Sequence, residues 1–263
     1  MRRKVMILPL LMLGLTMIFA GCSENNGVDG NSNFDNEGLS FARADADTAV
    51  TEFIDDSQDV SDWVVWDERP MGMGDSVVFD TTDYWHIYIR EYINGRIEHS
   101  VADSFRYADT EGNYQYWRDE NTNQFERRLK REFHRDAWPE TPGTSWDKSR
   151  SRNMLWVGLA EDVTTLNGDV HRYYHGQNSF REFTREFEGE FLEVKFNTED
   201  LFNGRPTHPF EGTLAGSTWV DYEGQIREYH IEAEITVTFY PDHFHVIFRS
   251  GDNYFEWDHY YEP

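Results

Sequence analysis

The residues best suited to chemistry are two histidines and two carboxylates near the end of the sequence. His243 and His245 are two residues apart, and Glu256 and Asp258 repeat that spacing. Side chains two apart lie on the same face of a β-strand, so two paired strands would bring all four to one surface. Histidine nitrogens and carboxylate oxygens bind zinc and related divalent ions. These four residues therefore form a candidate metal cluster.

Ordinary cross-strand pairing explains the same pattern without a metal. Pairs of this kind stabilise a sheet by about 0.2–1 kcal/mol each, and among the 49 acidic residues of the chain some must face histidines by chance. We therefore predict no bound metal and no cofactor. His171 and His175 have the four-residue spacing of a metal pair on a helix, but the intervening residues favour a strand.

Motifs of common enzymes are absent from the sequence, including the Gly-x-Ser-x-Gly elbow, the P-loop, Gly-x-Gly-x-x-Gly after a strand, and His-Glu-x-x-His. Acidic pairs for glycoside hydrolysis stay open, because acids are too abundant for any one pair to stand out. Two tryptophans in a predicted loop, Trp138 and Trp146, could stack on a sugar ring. We predict a protein that is not an enzyme.

The candidate cluster is positioned by a predicted antiparallel meander at the end of the chain. Pro241 favours a type I turn over Tyr240–His243, and further turns are expected at Ser250-Gly251 and Gly224-Gln225. The expected cross-strand pairs are Phe239 with Phe244, Val237 with Val246, Val246 with Phe255, Phe244 with Trp257, and Val220 with Tyr229. The same register places Tyr240, His243 and Asp258 in one row, and Thr238, His245 and Glu256 in the next.

Short aromatic and β-branched segments alternate with polar residues through most of the chain, which predicts an all-β fold. The expected strands are Trp63–Trp66, Tyr84–Tyr92, Arg96–Tyr107, Gln115–Arg118, Phe125–His134, Met154–Leu166, Val170–Tyr174, Ser179–Glu188, Glu190–Phe196, Thr213–Tyr222, Arg227–Tyr240, His243–Arg249 and Asn253–His259. Asp136–Asn153 and Asn203–Gly212 are expected loops, and one short helix is expected near Thr48–Asp56. Antiparallel meanders of this kind form a barrel or a two-sheet sandwich, because an apolar sheet face must be covered.

The hairpin around Asn94 has an ambiguous register. A three-residue loop, Ile93-Asn94-Gly95, with Gly95 in the left-handed conformation matches the apolar residues of the two strands best. It would bring together on one face Trp85, Ile87, Ile89, Ile97, Val101 and Phe105. We therefore predict the three-residue loop.

The charge of the chain limits its partners. Lys and Arg total 24 against 49 Asp and Glu, a net charge of −25. Such a surface repels nucleic acid, so we predict no nucleic-acid partner. The single cysteine, Cys22, leaves no disulfide and, if it carries a lipid, no thiol chemistry.

The first 22 residues have the pattern of a secretory signal. Arg2, Arg3 and Lys4 precede an apolar stretch from Val5 to Phe19, which is shorter than the roughly 20 residues that a membrane span needs. The end of this segment, Phe19-Ala20-Gly21-Cys22, resembles the lipobox of bacterial lipoproteins. The resemblance implies cleavage before Cys22, attachment of a lipid to that cysteine, and, from Ser23, an outer-membrane location.

These features predict three regions: a lipoprotein signal peptide over 1–21, a disordered acidic tether rich in Asn, Ser and Gly over 22–47, and a single β-rich domain over 48–263. The predicted protein is a lipid-anchored, acidic cell-envelope lipoprotein that acts as a non-catalytic binding or structural surface domain. The alternative is a lipocalin-like barrel that carries a small apolar ligand. Glycan binding and catalysis rank below both, and the oligomeric state stays open.

Overall fold

Antiparallel strands make up most of the part of the chain that the computed structural model describes, which is residues 75–137, 144–202, 208–225 and 228–261. The all-β prediction is confirmed. The strands are β1 (Asp75–Asp80), β2 (Trp85–Asn94), β3 (Ile97–Asp109), β4 (Tyr114–Gln115), β5 (Thr122–Arg135), β6 (Ser145–Val157), β7 (Val163–Gln177), β8 (Arg181–Asn197), β9 (Glu211–Gly224), β10 (Glu228–Phe239), β11 (His243–Ser250) and β12 (Asn253–Tyr260). The expected strand Trp63–Trp66, the expected helix near Thr48–Asp56, and the predicted signal and tether lie outside the described residues.

All the described strands belong to one sheet in an up-and-down order. Each strand pairs with the next along the chain, except that β4 pairs only with β3, and β3 continues to β5. The described residues of β1 and β12 do not pair with each other, so these strands are the two edges of the sheet. Within the described ranges, no helix is long and apolar enough to cross a membrane.

One face of the sheet carries the hydrophobic core. Strand alternation sends every second side chain to this inner face, where a single cluster of buried residues extends from β3 to β11. The largest fully buried side chains are Phe125, Trp156, Leu166, Phe191, Phe196, Leu201, Leu214, Ile235, Phe239 and Phe248. The core is dense in the second half of the sheet, where the predicted apolar meander lies.

A short helix, α1 (Thr198–Phe202), follows β8. Asn197 caps it, because the Asn197 side-chain oxygen accepts the backbone N–H of Glu199 at 2.9 Å. Leu201 is buried in the core cluster. This helix was not expected, because its five residues are too few to show a helical period.

The expected loop Asp136–Asn153 is wrong over most of its described part, because β6 begins at Ser145. Except for Trp146, the inward side chains of this half of β6 are charged (Lys148, Arg150 and Arg152), so the apolar alternation that marks a strand is missing. The expected strand Met154–Leu166 is also wrong. The chain leaves the sheet after Val157, and Gly158 turns it with a φ of 94°.

The expected break between Ser179–Glu188 and Glu190–Phe196 is absent, since β8 continues through both segments. Its irregularity lies later, where the register with β9 shifts between Leu192 and Lys195. Glu193 has a φ of 49° there, and its backbone N–H donates to the Asn167 side-chain oxygen at 2.9 Å. A matching register shift lies between Leu166 and Gly168 of β7. Such irregularities increase the local twist and bend of a sheet.

The predicted three-residue loop at 93–95 is wrong. Asn94 pairs with Ile97 in a two-residue hairpin, although Gly95 does take a left-handed φ of 62°. Ile89 and Ile93 are therefore exposed. The inner face of β2 instead carries His86, whose ring stacks on Phe105 with centroids 5.0 Å apart. The prediction matched apolar residues across the hairpin, but the two strands do not present matching apolar faces.

The C-terminal meander is confirmed in its faces and in one of its three registers. Phe239 pairs with Phe244, as predicted. The other two hairpins are shifted by two residues, so that Val246 pairs with Trp257 and Val220 pairs with Ile231. A shift of two keeps every side chain on its predicted face, because the side-chain period of a strand is two.

Candidate functional site

The register of β11 and β12 separates the candidate metal cluster into hydrogen-bonded pairs. His245, not His243, lies opposite Asp258, with Nδ1 2.7 Å from the carboxylate Oδ1. His243 takes Asp242 as its partner at 2.7 Å and lies 3.9 Å from Asp258. Glu256 lies opposite Ile247, with a carboxylate oxygen 3.9 Å from the Nε2 of His245. The predicted rows that joined His243 to Asp258 and His245 to Glu256 are therefore wrong.

His245 and Asp258 form an ordinary cross-strand pair, whereas His243 bonds to Asp242, its neighbour in the chain. Asp242 has a pKa below its usual value because it accepts a hydrogen bond from His243. Glu256 also accepts the Tyr254 hydroxyl at 2.5 Å. These partially exposed pairs on the outer face fix side chains at the sheet edge.

The other histidine pair also separates. His171 contacts Glu186 at 2.8 Å and Glu188 at 3.9 Å, whereas His175 binds the hydroxyl of Thr184 at 3.1 Å. Among the described residues, the His171, Glu186 and Glu188 group is the one whose ligand atoms lie within 4.8 Å of one another. It lies on the outer face, and His171 is the one histidine in it.

A pocket of about 530 Å³ lies at the opposite end of the inner face from the densest core. Its wall runs from His99 on β3 to Tyr222 on β9. A flat sheet of these six neighbouring strands would be about 24 Å wide. Because His99 on β3 and Tyr222 on β9 line the same pocket, the sheet must curve around it.

Arginine side chains from three adjacent strands form the inner row of this pocket. Arg131 of β5 pairs with Arg150 of β6, and Arg150 pairs with Arg172 of β7. The next residue in this row is Phe187 of β8, which is buried. We refer to Arg131, Arg150 and Arg172 as the arginine row.

The next row, two residues nearer the pocket mouth, combines cations with a tyrosine. Lys148 of β6 pairs with Tyr174 of β7, and Tyr174 pairs with Arg185 of β8. The Nζ of Lys148 lies 4.8 Å from the centre of the Tyr174 ring, which is within range for a cation–π contact. Burial raises the pKa of Tyr174 to about 12, although the charge of Arg181 opposes that shift. The Tyr174 hydroxyl therefore keeps its proton at neutral pH.

Three aromatic rings line the mouth of the pocket. The ring centroids of Trp146, Tyr174 and Phe183 are 5.1, 4.9 and 5.8 Å apart in pairs. Two of these rings, Trp146 and Phe183, pack over Gly176, where a Cβ would lie 2.7 Å from ring carbons. We refer to Trp146, Tyr174 and Phe183 as the aromatic wall.

The pocket is positively charged in an otherwise acidic chain. Its lining contains six cationic side chains, which are Arg131, Lys148, Arg150, Arg172, Arg181 and Arg185. It contains two carboxylates, Glu132 and Glu186. Glu132 binds Lys130 at 2.8 Å, which lowers its pKa, and Glu186 binds His171. Strand alternation directs both acids to the outer face, so the inward side chains among the described lining residues are cationic or uncharged.

A buried ion pair lies below the arginine row. Arg127 of β5 donates from Nε and Nη2 to the two oxygens of Asp103 of β3, at 3.0 and 2.8 Å. Arg152, two residues along β6 from Arg150, is 3% exposed. Charged groups thus continue from the pocket into the protein interior.

The pocket was not predicted from the sequence, although β6 carries a usable signal. Trp146, Lys148, Arg150 and Arg152 alternate with other residues at the two-residue spacing of a strand. A search for alternating apolar residues does not detect such a strand. Trp146 was assigned to a loop but lies on β6 at the pocket mouth, and Trp138 lies outside the described residues.

Comparisons with protein-family models, curated proteins and solved structures found no match for this chain.

Proposed function

We propose that this protein is a lipid-anchored, acidic cell-envelope lipoprotein whose β domain binds a small molecule without catalysis. One observation carries the binding function, namely the pocket of about 530 Å³ on the inner face. Its volume is within the range of about 300–1,000 Å³ typical of small-molecule sites. A domain with a purely structural role would have no need for such an opening in its core.

The division of the inner face supports this proposal. Large apolar side chains fill the half formed by β8 to β11, which supplies the stability of the fold. At the pocket end of β5 to β8, arginines and partially buried aromatic rings take their place, whereas the other end of β5 to β7 carries buried Phe125, Trp156 and Leu166. A carrier requires this combination of a rigid packed half and an accessible half.

The proposed lipid anchor at Cys22 gives this binding domain its location. Anchoring through one residue at the start of the mature chain would hold the β domain at a membrane surface. We propose the outer membrane as that location.

A titration with N-phenyl-1-naphthylamine tests the binding function. This neutral probe becomes fluorescent in an apolar site, and we expect saturable binding to the purified protein. Phe183→Ala removes one ring of the aromatic wall and should weaken binding about three- to tenfold. Phe180→Ala is the matched control, because Phe180 is an exposed phenylalanine three residues earlier. Absence of saturable binding, or equal affinities for both variants, would contradict the proposal.

A further inference from the structure

We infer that the ligand of this pocket is an anionic amphiphile, with a carboxylate, sulfonate or phosphate head held by the arginine row and an apolar body against the aromatic wall. The inference rests on the proposed binding function and names the class of ligand. It differs from the alternative predicted from the sequence, in which a barrel carries a small apolar ligand.

The distribution of charge is the first argument. Six of the 24 lysines and arginines in the chain line this one pocket. Arg131, Arg150 and Arg172 also lie directly opposite one another across β5, β6 and β7, and directly opposed like charges destabilise a sheet. An anionic head group between these side chains would interact with several guanidinium groups at once.

The chemistry of arginine is the second argument. A guanidinium group is planar and presents its N–H donors as a fork that fits the paired oxygens of a carboxylate, sulfonate or phosphate. The arginine row contributes three such groups from adjacent strands, and Arg185 contributes a fourth from the next row. The Tyr174 hydroxyl, which is protonated at neutral pH, adds a neutral donor.

The order of the rows sets the orientation of the ligand. From the interior to the mouth, the inner face presents Arg152, then the arginine row, then Lys148 with Tyr174 and Arg185, and finally Trp146 with Phe183. A ligand that enters head first places its charge at the arginine row. Its apolar body then lies beside the aromatic wall, where rings provide apolar contact area.

The size of the pocket and the charge of the outer surface exclude large polyanions. A pocket of about 530 Å³ holds a small molecule, and the net charge of −25 repels a nucleic acid strand from the rest of the surface. A single small anion meets the cationic pocket without extended contact with the acidic surface.

Two probes that differ only in a charged group test this inference. 8-Anilinonaphthalene-1-sulfonate has the ring system of N-phenyl-1-naphthylamine with one added sulfonate. We expect the protein to bind the sulfonate probe at least tenfold more tightly, because a hydrogen-bonded charge pair contributes more than a neutral contact. Raising the salt concentration should weaken binding of the sulfonate probe and leave the neutral probe unchanged.

Variants of the arginine row locate the head group. Arg150→Gln and Arg172→Gln should each weaken binding of the sulfonate probe about tenfold or more, and by a clearly larger factor than they weaken binding of the neutral probe. Arg249→Gln is the matched control, because Arg249 is an exposed residue on the outer face of β11 and its loss changes the net charge equally. Lys148→Gln, at an exposed pocket residue, gives a milder variant if an arginine substitution prevents folding, as checked by circular dichroism.

Natural head groups are compared by displacement of the bound sulfonate probe. Decanoate and decyl phosphate should displace it, and their relative strength distinguishes a fatty-acid type of ligand from a phosphorylated one. Decanol is the neutral control and should be at least tenfold weaker.

The outcomes separate the two proposals. If neither probe binds, the proposed binding function fails. If both probes bind equally well, decanol competes as well as decanoate, and the arginine variants have no effect, the binding function survives and the anionic ligand is wrong.

Discussion

The ion pair between Arg127 and Asp103 shows how single residues support the pocket. Both side chains are almost completely buried, at 4% and 1% exposure, and the guanidinium makes two parallel hydrogen bonds to the carboxylate. Removing charges from water is costly, so such a pair adds little stability compared with apolar residues. Breaking it by removing one partner is costly, because the other charge stays buried. The pair thus ties β3 to β5 beneath the arginine row.

Asp103→Asn should lower the free energy of unfolding by about 3–5 kcal/mol, because it leaves the Arg127 charge buried beside a neutral amide. Urea denaturation followed by tryptophan fluorescence measures this loss. Glu211→Gln provides the comparison, since Glu211 contacts Lys195 at a similar distance of 2.7 Å in an exposed pair. That change should cost less than about 1 kcal/mol. Equal losses of unfolding free energy in the two variants would show that burial of the Arg127–Asp103 pair does not determine how much its loss destabilises the protein.

At the scale of elements, the curvature of the sheet depends on places where strand backbones approach closely. A Cβ on Gly168 of β7 would lie 2.2 Å from the carbonyl oxygen of Asn153 on β6. Gly168 also follows the register shift of β7, and Asn167 links this shift to the irregularity of β8 through Glu193. Bulges at adjacent positions of neighbouring strands bend a sheet at the same place along those strands. These residues therefore let β5 to β9 surround a pocket.

Gly168→Ala should lower the free energy of unfolding by about 1–3 kcal/mol, because the added methyl group meets fixed backbone rather than a movable side chain. Gly224→Ala is the control, since its Cβ would meet the ring of Tyr222, a side chain that can move. We expect that change to stay within about 0.5 kcal/mol. Chemical denaturation of both variants measures the difference, and a neutral effect of Gly168→Ala would rule out the close approach.

For the whole molecule, the main feature is the contrast between an acidic exterior and a cationic pocket. The net charge is −25, and removal of Arg2, Arg3 and Lys4 with a signal peptide would take it to −28. A field of this sign disfavours association with nucleic acid and anionic membrane surfaces. An acidic surface of this kind does not by itself favour membrane association, and the covalent anchor proposed at Cys22 would provide the attachment.

Cys22→Ser should abolish membrane attachment. When the protein is expressed in a bacterium with lipoprotein processing, we expect the unmodified sequence to partition into the detergent phase of Triton X-114 and the variant into the aqueous phase. Mass spectrometry of the N-terminal peptide should show a lipid on Cys22. Ser23→Ala, which changes the adjacent residue, should keep the lipid. A mature chain without lipid, or one that begins elsewhere, would contradict the anchor.

The all-β fold class was predictable because local sequence patterns identify strands and turns. Alternating apolar residues identify strands, Pro241 limits the turn before His243, and the resulting register between Phe239 and Phe244 is confirmed. The neighbouring registers were two residues off, since the last hairpin turns at Gly251-Asp252 instead of Ser250-Gly251, and Val220 pairs with Ile231 instead of Tyr229. Because of that error the prediction paired Asp258 with His243, whereas it lies opposite His245, and the rows of the candidate metal cluster do not form.

The candidate site was decided by the tertiary structure alone. Sequence patterns detect a buried face by its apolar residues, and here part of the inner face is cationic, so β6 was assigned to a loop. The arginine row forms only because Arg131, Arg150 and Arg172 meet across three strands, with spacings along the chain that have no common period. The sequence by itself determined an antiparallel β protein with an acidic charge. Pairing and curvature placed its cations around a pocket, because contacts between distant residues depend on register and bending.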